Sequence, residues 1–494
     1  MGRFDLKSHK RIWILICGVI LYIALFFTLT VLRYKAFFSY EWEDLAHMNG
    51  AYWNVSQGNM IGFIKFLFQD NTHDVVHIAP IMFVISAIYF FVPHIYTLFF
   101  VVTLSLAIAA VPIYFIGMKL LKNDNAALLF SIAYLLYAPK NIFNFLDGDT
   151  SIFLIPLLLF TFYAVLAGNK VWFVVCSILV MLCKTETPVY IIVFALYFLI
   201  KQQEFHKIPN KMYLTMGGIA GVLFVLNIFF FQLLSEEDIC YSCRGSSFIC
   251  AVSFVATYPI LDMLSDIQIQ SLLKMVFPVV FFPVFTAEIF LGLPSLLAFI
   301  LAGDFVHQRA HYLAGFVPAI FIGSIYFVRR LYVKFWTQFS PALAAIIFLG
   351  CLFSNFTDHI IGGPYPVAEG FIPDIRFLDV RNLYDKRFYV MDDEDKIAWR
   401  MIRMIPKDPN IAISASGDLL APLSSRKKLI EFLDDDYDYY NVDYILIHNK
   451  YMYMGAGHYF WDGVRMDAEL EKLLANNDWV LIAQEGTFYL FRRK

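Results

Sequence analysis

Charge is what this chain has least of. Of its 494 residues only 16% are Asp, Glu, Lys or Arg, while 60% are hydrophobic and 18% aromatic. A soluble domain carries about a quarter charged residues and about half apolar ones. The surface of a soluble enzyme cannot be assembled from this composition. Positive charge is not in excess either: 38 Lys and Arg against 41 Asp and Glu leave a formal charge of −3, which gives no footprint for nucleic acid. Glycine, at 25, and proline, at 19, are too few for a collagen-like or low-complexity chain, and seven cysteines are too few for a disulfide scaffold. What is present in quantity is long apolar sequence, with a mean hydropathy of +0.63. The composition is that of a polytopic α-helical membrane protein.

The scarcity is uneven. From Thr357 to Lys494, 40 of 138 residues are charged, against 39 in the other 356. The expected organisation is a multi-pass transmembrane body over 1–356 and a soluble domain over 357–494, long enough for a core of its own.

The first apolar run, Ile12 to Val31, has Lys7, Lys10 and Arg11 before it and is long enough to cross a bilayer. Further runs at 95–117, 124–139, 150–167, 170–183, 187–200, 212–234, 271–287, 289–303, 311–328 and 335–356 bring the expectation to about eleven transmembrane helices. Lys119/Lys122, Lys170, Lys201 to Lys211 and Arg329/Arg330/Lys334 fall on one side, which the positive-inside rule makes cytoplasmic together with the N-terminus. An odd number of crossings then places the tail outside. Val75–Val92 is apolar but would invert every later link if it crossed, so it is read as a re-entrant or surface helix.

Cys17, Cys176, Cys183 and Cys351 fall in or beside apolar helices and are expected to pack there, whereas Cys240, Cys243 and Cys250 share an outer link where one disulfide is expected. The tail reads as a small α/β domain. Strands are predicted at Asn410–Ser414, Lys428–Phe432 and Asp443–His448, a helix at Asp467–Asn476, and a hairpin over Trp479–Phe491 turning at Glu485–Gly486. The acidic stretches Asp392–Asp395 and Asp434–Asp438 are expected to be solvated loops.

Ionisable residues at a membrane boundary are costly, so each invites a reason. The outer links hold five groups: Glu41, Glu43, Asp44 and His47; Asp70, His73, Asp74 and His77; Asp147 and Asp149; Lys184 and Glu186; and Asp304, His307, Arg309 and His311. Plain readings exist for each. Asp149 or Thr150 is a sensible N-cap, histidines can cap an interfacial helix, and Lys184 and Glu186 can satisfy one another. The functional reading assigns carboxylates to general-base work or metal binding and cations to a phosphate leaving group. Cations on the outer side run against the positive-inside bias, which draws attention to Lys184 and Arg309.

The runs from Asp44 to Asn54, HDVVHIAPIMFVISAIYFFVP, FLDGDTSIFLIPLLL, LCKTETPVY and HYLAGFVPAIF resemble the bacterial and archaeal multi-pass family known as domain of unknown function 2079. That family is similar in architecture to GT-C glycosyltransferases, which use polyprenyl-phosphate-linked sugars. The resemblance implies a GT-C-like body in the cell membrane, a polyprenyl-phosphate-linked sugar and membrane lipid as partners, and an extracytoplasmic tail. Asp44 and Asp147 fall at the two acidic positions of the outer links and would be catalytic. Lys184, Glu186, Arg309, His311 and His77 would bind substrate. Asp44, Asp147 and Asp149 are the candidate ligands if a divalent cation takes part. The expected activity is transfer of a sugar from polyprenyl phosphate to an acceptor at the outer membrane face. The alternatives are a transporter or flippase of a lipid-linked or anionic solute, which would show repeated halves, and a non-catalytic membrane scaffold.

Overall fold

The computed structural model describes residues 6–37, 42–58, 79–145, 148–234, 266–301, 310–334, 340–356, 389–433, 438–449 and 463–494. In chain order the membrane part comprises α1 (Leu6–Lys35), α2 (Trp42–Ser56), α3 (Ile81–Phe91), α4 (Ile95–Ile108), α5 (Ala110–Leu121), α6 (Asp124–Leu136), α7 (Ala138–Asn141), α8 (Leu154–Ala167), α9 (Lys170–Met181), α10 (Pro188–Ile200), α11 (Gln202–Phe205), α12 (Asn210–Leu234), α13 (Asp266–Val276), α14 (Leu293–Leu301), α15 (Phe316–Lys334) and α16 (Ser340–Phe356). A helix satisfies its own backbone polar groups, which hydrocarbon cannot do for it.

Among the described residues the sequence reading of about eleven spans is not confirmed. Among the described residues four helices are long and apolar enough to cross alone: Lys10–Lys35, Ile95–Leu121, Thr150–Ala167 and Asn210–Phe229. A pair bent by 50°, Asp124–Leu136 with Ala138–Asn144, can supply a fifth. The other apolar helices counted have 10–17 residues, and at about 1.5 Å per residue these fall short of the roughly 30 Å hydrocarbon core. The expected span at 271–287 is also corrected. The chain there is the end of α13 followed by 3₁₀ turns at Phe277–Val279, Phe282–Phe285 and Ala287–Gly292. Pro278 and Pro283 lack the N–H a helix needs, and Val280 and Phe281 take positive φ, 56° and 58°. By contrast Thr150–Ala167 has the predicted limits, because Asp149 caps its start and Gly168 ends it at φ 74°. α3, inside the segment read as non-crossing, has 11 residues.

Basic links gather at one end of the body. Arg11 meets Asp124 at 2.6 Å, Arg329 pairs with Glu204, and Arg330 reaches the fully buried Glu288 at 3.1 Å, where the Tyr197 hydroxyl also donates at 2.8 Å. Lys207 packs against Gly168 at that end. α8 and α10 run between it and the opposite end, where α2, α3 and the C-terminal segment meet.

The C-terminal segment holds α17 (Asp393–Met404), β1 (Ile413–Ala415), α18 (Leu420–Leu423), β2 (Leu429–Glu431), β3 (Tyr444–His448), α19 (Gly463–Ala475), β4 (Trp479–Glu485) and β5 (Phe488–Arg493). The sheet order is β2-β1-β3-β5-β4, with β1 parallel to β2 and β3 and with β5 antiparallel to β3 and β4. The expected strands and hairpin are present, closed by Gly486 at φ 57°. Asp392–Asp395 is not a loop. Asp392 and Asp395 form a capping box that starts α17, with each side chain accepting from the other's backbone N–H at 2.9 and 2.8 Å. The second acidic stretch is outside the described residues except for Asp438, whose carboxylate accepts from Tyr440 N.

One face of this sheet shares its core with the body: Leu446, Phe488 and Leu490 join Leu419, Leu420 and Leu423 and, through them, helices of the membrane part. The other face buries Ile445, Ile447 and Phe491 under Met466, Leu470 and Leu473 of α19. At the end of α1, Trp399 donates to the Lys35 carbonyl at 2.8 Å and its ring meets Tyr34 and Phe37. Cys176, Cys183 and Cys351 are buried as expected, whereas Cys17 is exposed. Cys240, Cys243 and Cys250 lie outside the described residues.

Candidate functional site

The turn between α9 and α10 is built to hold one lysine. The Thr187 hydroxyl sits within 2.6 Å of the Val180 carbonyl and 2.8 Å of the Lys184 carbonyl, and it accepts from Lys184 N at 3.1 Å. Pro188 then opens α10, where a missing N–H costs nothing. So clamped, Lys184 sends its ammonium to Asp149 Oδ2 at 2.9 Å, with the ring of Tyr312 5.3 Å from Nζ. The lysine side chain is 4% exposed and the aspartate 25%. Burial by itself disfavours the charged lysine. The carboxylates of Asp149 and Glu186 more than offset it, so Lys184 holds its proton more tightly than a free lysine.

Asp149 is fixed from its other side. Oδ1 accepts from Ser151 N at 2.7 Å, which makes Asp149 the cap of the turn leading into α8. Before it, Gly148 has φ 83°, and a Cβ there would lie 2.7 Å from Leu98 Cδ1. Only glycine suits that position. The Gly148 carbonyl accepts from the Tyr52 hydroxyl at 3.4 Å. Burial, reinforced by Tyr89 and Asp149, pushes the Tyr52 phenol well above its ordinary range, so it stays a donor.

From Tyr52 the contacts continue into the C-terminal segment. Its ring lies 5.7 Å from Tyr89, whose hydroxyl donates to Asn49 Oδ1 at 3.0 Å. Asn49 Nδ2 donates in turn to Ser424 Oγ at 2.8 Å and Ser425 Oγ at 3.2 Å. Asn54 reaches the Arg426 carbonyl at 3.4 Å. The start of α3 is tied to the lysine turn by Ile81 N donating to Leu182 O at 2.9 Å. Tyr52, with Trp42 and Trp53, is one of the aromatics that in sequence suit a sugar or lipid head beside Asp44, whereas nothing in sequence marks Asn49 or Tyr89. Buried polar atoms on a short helix beside a glycine carry no local signature.

Of the predicted site residues, the structure brings Lys184 and Asp149 together, with Glu186 on the same turn. His311 falls in the 3₁₀ turn Ala310–Leu313, whose Tyr312 faces Lys184; the His311 side chain is outside the described residues. Asp44 lies in the first turn of α2, and its side chain too is outside them. Asp147, Arg309 and His77 lie outside the described residues altogether. Among the described residues no group of three or more His, Cys, Asp or Glu is placed to hold a metal ion. Asp149, one of the candidate ligands, already faces an ammonium, and a divalent cation on the same carboxylate would lie against that charge. The described residues therefore do not fit a metal.

The family described as "Predicted membrane protein (DUF2079)" matches residues 44–465. No curated protein matches the chain. Among solved structures, ArnT from Cupriavidus metallidurans, bound to undecaprenyl phosphate, is 11% identical over 96% of this chain and 97% of its own, with a TM-score of 0.45. The oligosaccharyltransferase AglB from Archaeoglobus fulgidus, in complex with an inhibitory peptide and a dolichol-phosphate, is 12% identical over 89% of this chain and 70% of its own, with a TM-score of 0.41.

Proposed function

The chain belongs to this family of predicted membrane proteins, and on that premise we propose that it is a GT-C-like membrane glycosyltransferase moving a sugar from a polyprenyl-phosphate donor to an acceptor at the outer membrane face. The observation that carries the reading is Lys184, an ammonium almost wholly withdrawn from water yet kept charged by Asp149 at 2.9 Å, at the end of the body where α2 and the C-terminal segment meet. A cation prepared in this way suits a leaving phosphate. Asp149 takes one of the ammonium's three N–H groups.

In the proposed reaction the acceptor hydroxyl oxygen attacks the anomeric carbon and its proton passes to the Asp44 carboxylate, with Asp147 assisting. The bond from the anomeric carbon to the phosphate oxygen breaks and its electron pair leaves with the polyprenyl phosphate. That group gains one negative charge, which Lys184 and Arg309 meet, while Glu186, His311 and His77 line the substrate. A preorganised donor at a developing anion is worth about two to three orders of magnitude in rate. In the proposed topology the basic end is cytoplasmic and the C-terminal domain, 357–494, is outside, in keeping with the positive-inside bias.

The test is transfer in membrane vesicles supplied with labelled polyprenyl-phosphate sugars. Wild type should transfer label, and Asp44→Asn should lose about two to four orders of magnitude in rate while inserting normally. Full transfer by Asp44→Asn removes it as the base. Movement of the labelled lipid across the membrane without transfer replaces the enzyme with a flippase. A reporter fused after Arg493 that is active only inside would invert the topology.

A further inference from the structure

The carboxyl ends of β1 and β3 carry a second polar constellation, away from the Lys184 turn. These strands and β2 are parallel in the order β2-β1-β3. The chain therefore leaves β1 toward one side for β2 and returns on the other for β3. The crevice between the carboxyl ends of β1 and β3 is a topological switch point, where open α/β sheets bind their ligands.

Two side chains occupy it. His448 is the last residue of β3, and Asp418 follows shortly after β1 ends at Ala415. His448 Nδ1 lies 2.7 Å from Asp418 Oδ2, His448 N donates to Ser416 Oγ at 2.9 Å, and the imidazole stacks on Phe488 at 4.2 Å between centroids. Position and tilt are fixed. In the neutral tautomer that directs the Nδ1 proton at the carboxylate, Nε2 presents its lone pair.

Around this pair the polar atoms are unanswered. His448 Nε2, Asp418 Oδ1, Asn449 Oδ1 and Thr487 Oγ1 are each buried, and none has a hydrogen-bond partner among the described residues. Asn449 follows His448 directly, and its N–H donates to the Thr487 carbonyl at 2.8 Å, which ties the end of β3 to the turn before β5. Buried polar atoms are nearly always paired, and two exceptions on one hydrogen-bonded pair at the switch point call for an explanation.

Their chemistry selects the partner. Imidazole nitrogen, carboxylate oxygen and amide oxygen are acceptors and ask for donors. An anion is excluded by the Asp418 carboxylate. A metal ion would need further ligands, and among the described residues no group of three or more His, Cys, Asp or Glu is placed to hold one. A neutral molecule bearing several hydroxyls supplies donors without a charge to desolvate. Both side chains keep 13% of their surface exposed, with the two unpaired atoms just beneath it.

We infer that the crevice between β1 and β3 is a carbohydrate-binding site, in which hydroxyls of a sugar donate to His448 Nε2 and Asp418 Oδ1. The segment carrying Asp418 runs on to Ser424, whose side chain accepts from Asn49 of α2 at 2.8 Å, so the sugar would be held against the membrane body.

The test uses the full chain in detergent with no lipid donor present, so it stands or falls apart from any transferase activity. Glucose, galactose, N-acetylglucosamine and their methyl glycosides serve as probes in saturation-transfer NMR. At least one should bind to wild type. His448→Gln and Asp418→Asn, the latter keeping the shape while turning a free acceptor into a donor, should weaken that binding about tenfold or more. If His448→Gln fails to fold, Asp418→Asn decides, provided its melting temperature is that of wild type. Binding by none of the probes, equal binding by the folded variants, or one equivalent of Zn²⁺ bound in a His448-dependent way would each overturn the assignment.

Discussion

Lys140 and Lys184 both sit where water scarcely reaches, in surroundings that differ in kind. Lys140, on the short α7 after the bend in the chain, is fully buried. Its Nζ lies 4.0 Å from the Tyr22 ring centroid and 4.5 Å from that of Tyr134, and it donates to the Leu135 carbonyl at 3.4 Å. No carboxylate pairs with it among the described residues. Lys184 faces Asp149 and shares its turn with Glu186. Aromatic faces and a carbonyl hold a cation in place without offering anything an incoming anion could exchange with. A carboxylate at the edge of water can move aside for a phosphate. The contrast teaches that two equally buried lysines can differ in kind through what they are buried against: rings and a carbonyl for Lys140, carboxylates for Lys184.

The largest effect expected from this contrast is on turnover. Lys184→Ala should lower sugar transfer by about two to three orders of magnitude, whereas Lys140→Met, which fills the same space without charge, should leave transfer within about a factor of three. Vesicle transfer rates measure both, and equal losses would erase the distinction.

Stability comes next. Asp149→Asn removes the carboxylate from a nearly buried ammonium and should cost about 3 kcal/mol in chemical unfolding. Tyr134→Phe deprives the Leu106 carbonyl of its donor at 2.8 Å and should cost about 1 kcal/mol. A reversed order would mean that the Tyr134 hydroxyl, not the Asp149 carboxylate, is the stronger hold.

Asn49→Ala should fall between them, at about 2 kcal/mol, since it removes hydrogen bonds to Ser424, Ser425 and Tyr89. It should also speed tryptic cutting at the exposed Lys427; unchanged cutting would show that α2 does not anchor the C-terminal segment.

The smallest effect concerns pH. Because Asp149 helps raise the affinity of Lys184 for its proton, activity lost to lysine deprotonation at alkaline pH should begin at lower pH in Asp149→Asn than in wild type. Superimposable alkaline limbs would remove Asp149 from the control of Lys184.

Much of this architecture is legible in sequence where local chemistry decides it. The helix ending at Gly168 and the turn at Gly486 carry their own caps and punctuation, and the short strands keep their patterns. The partner of Lys184 is not legible. Glu186 is two residues away in sequence, but the hydrogen bond goes to Asp149, 35 residues distant, because Gly148 and the Thr187 clamp bring two turns together. The break at 277–292 was hidden for a related reason: apolar content marks a buried segment but does not say whether prolines let it run as a helix. The seating of the C-terminal segment on α2 rests on serines and an asparagine that are ordinary in any loop.

α3 has a mechanical consequence. Its 11 residues rise about 16 Å, roughly half the hydrocarbon depth, and Phe83, Val84, Ile88, Phe90 and Phe91 face outward. Set into a bilayer, a rod of that length would displace acyl chains in one leaflet and leave the other continuous beneath it. Changes in bilayer thickness would then bear on α3, which the bond from Ile81 N to the Leu182 carbonyl joins to the chain two residues before Lys184.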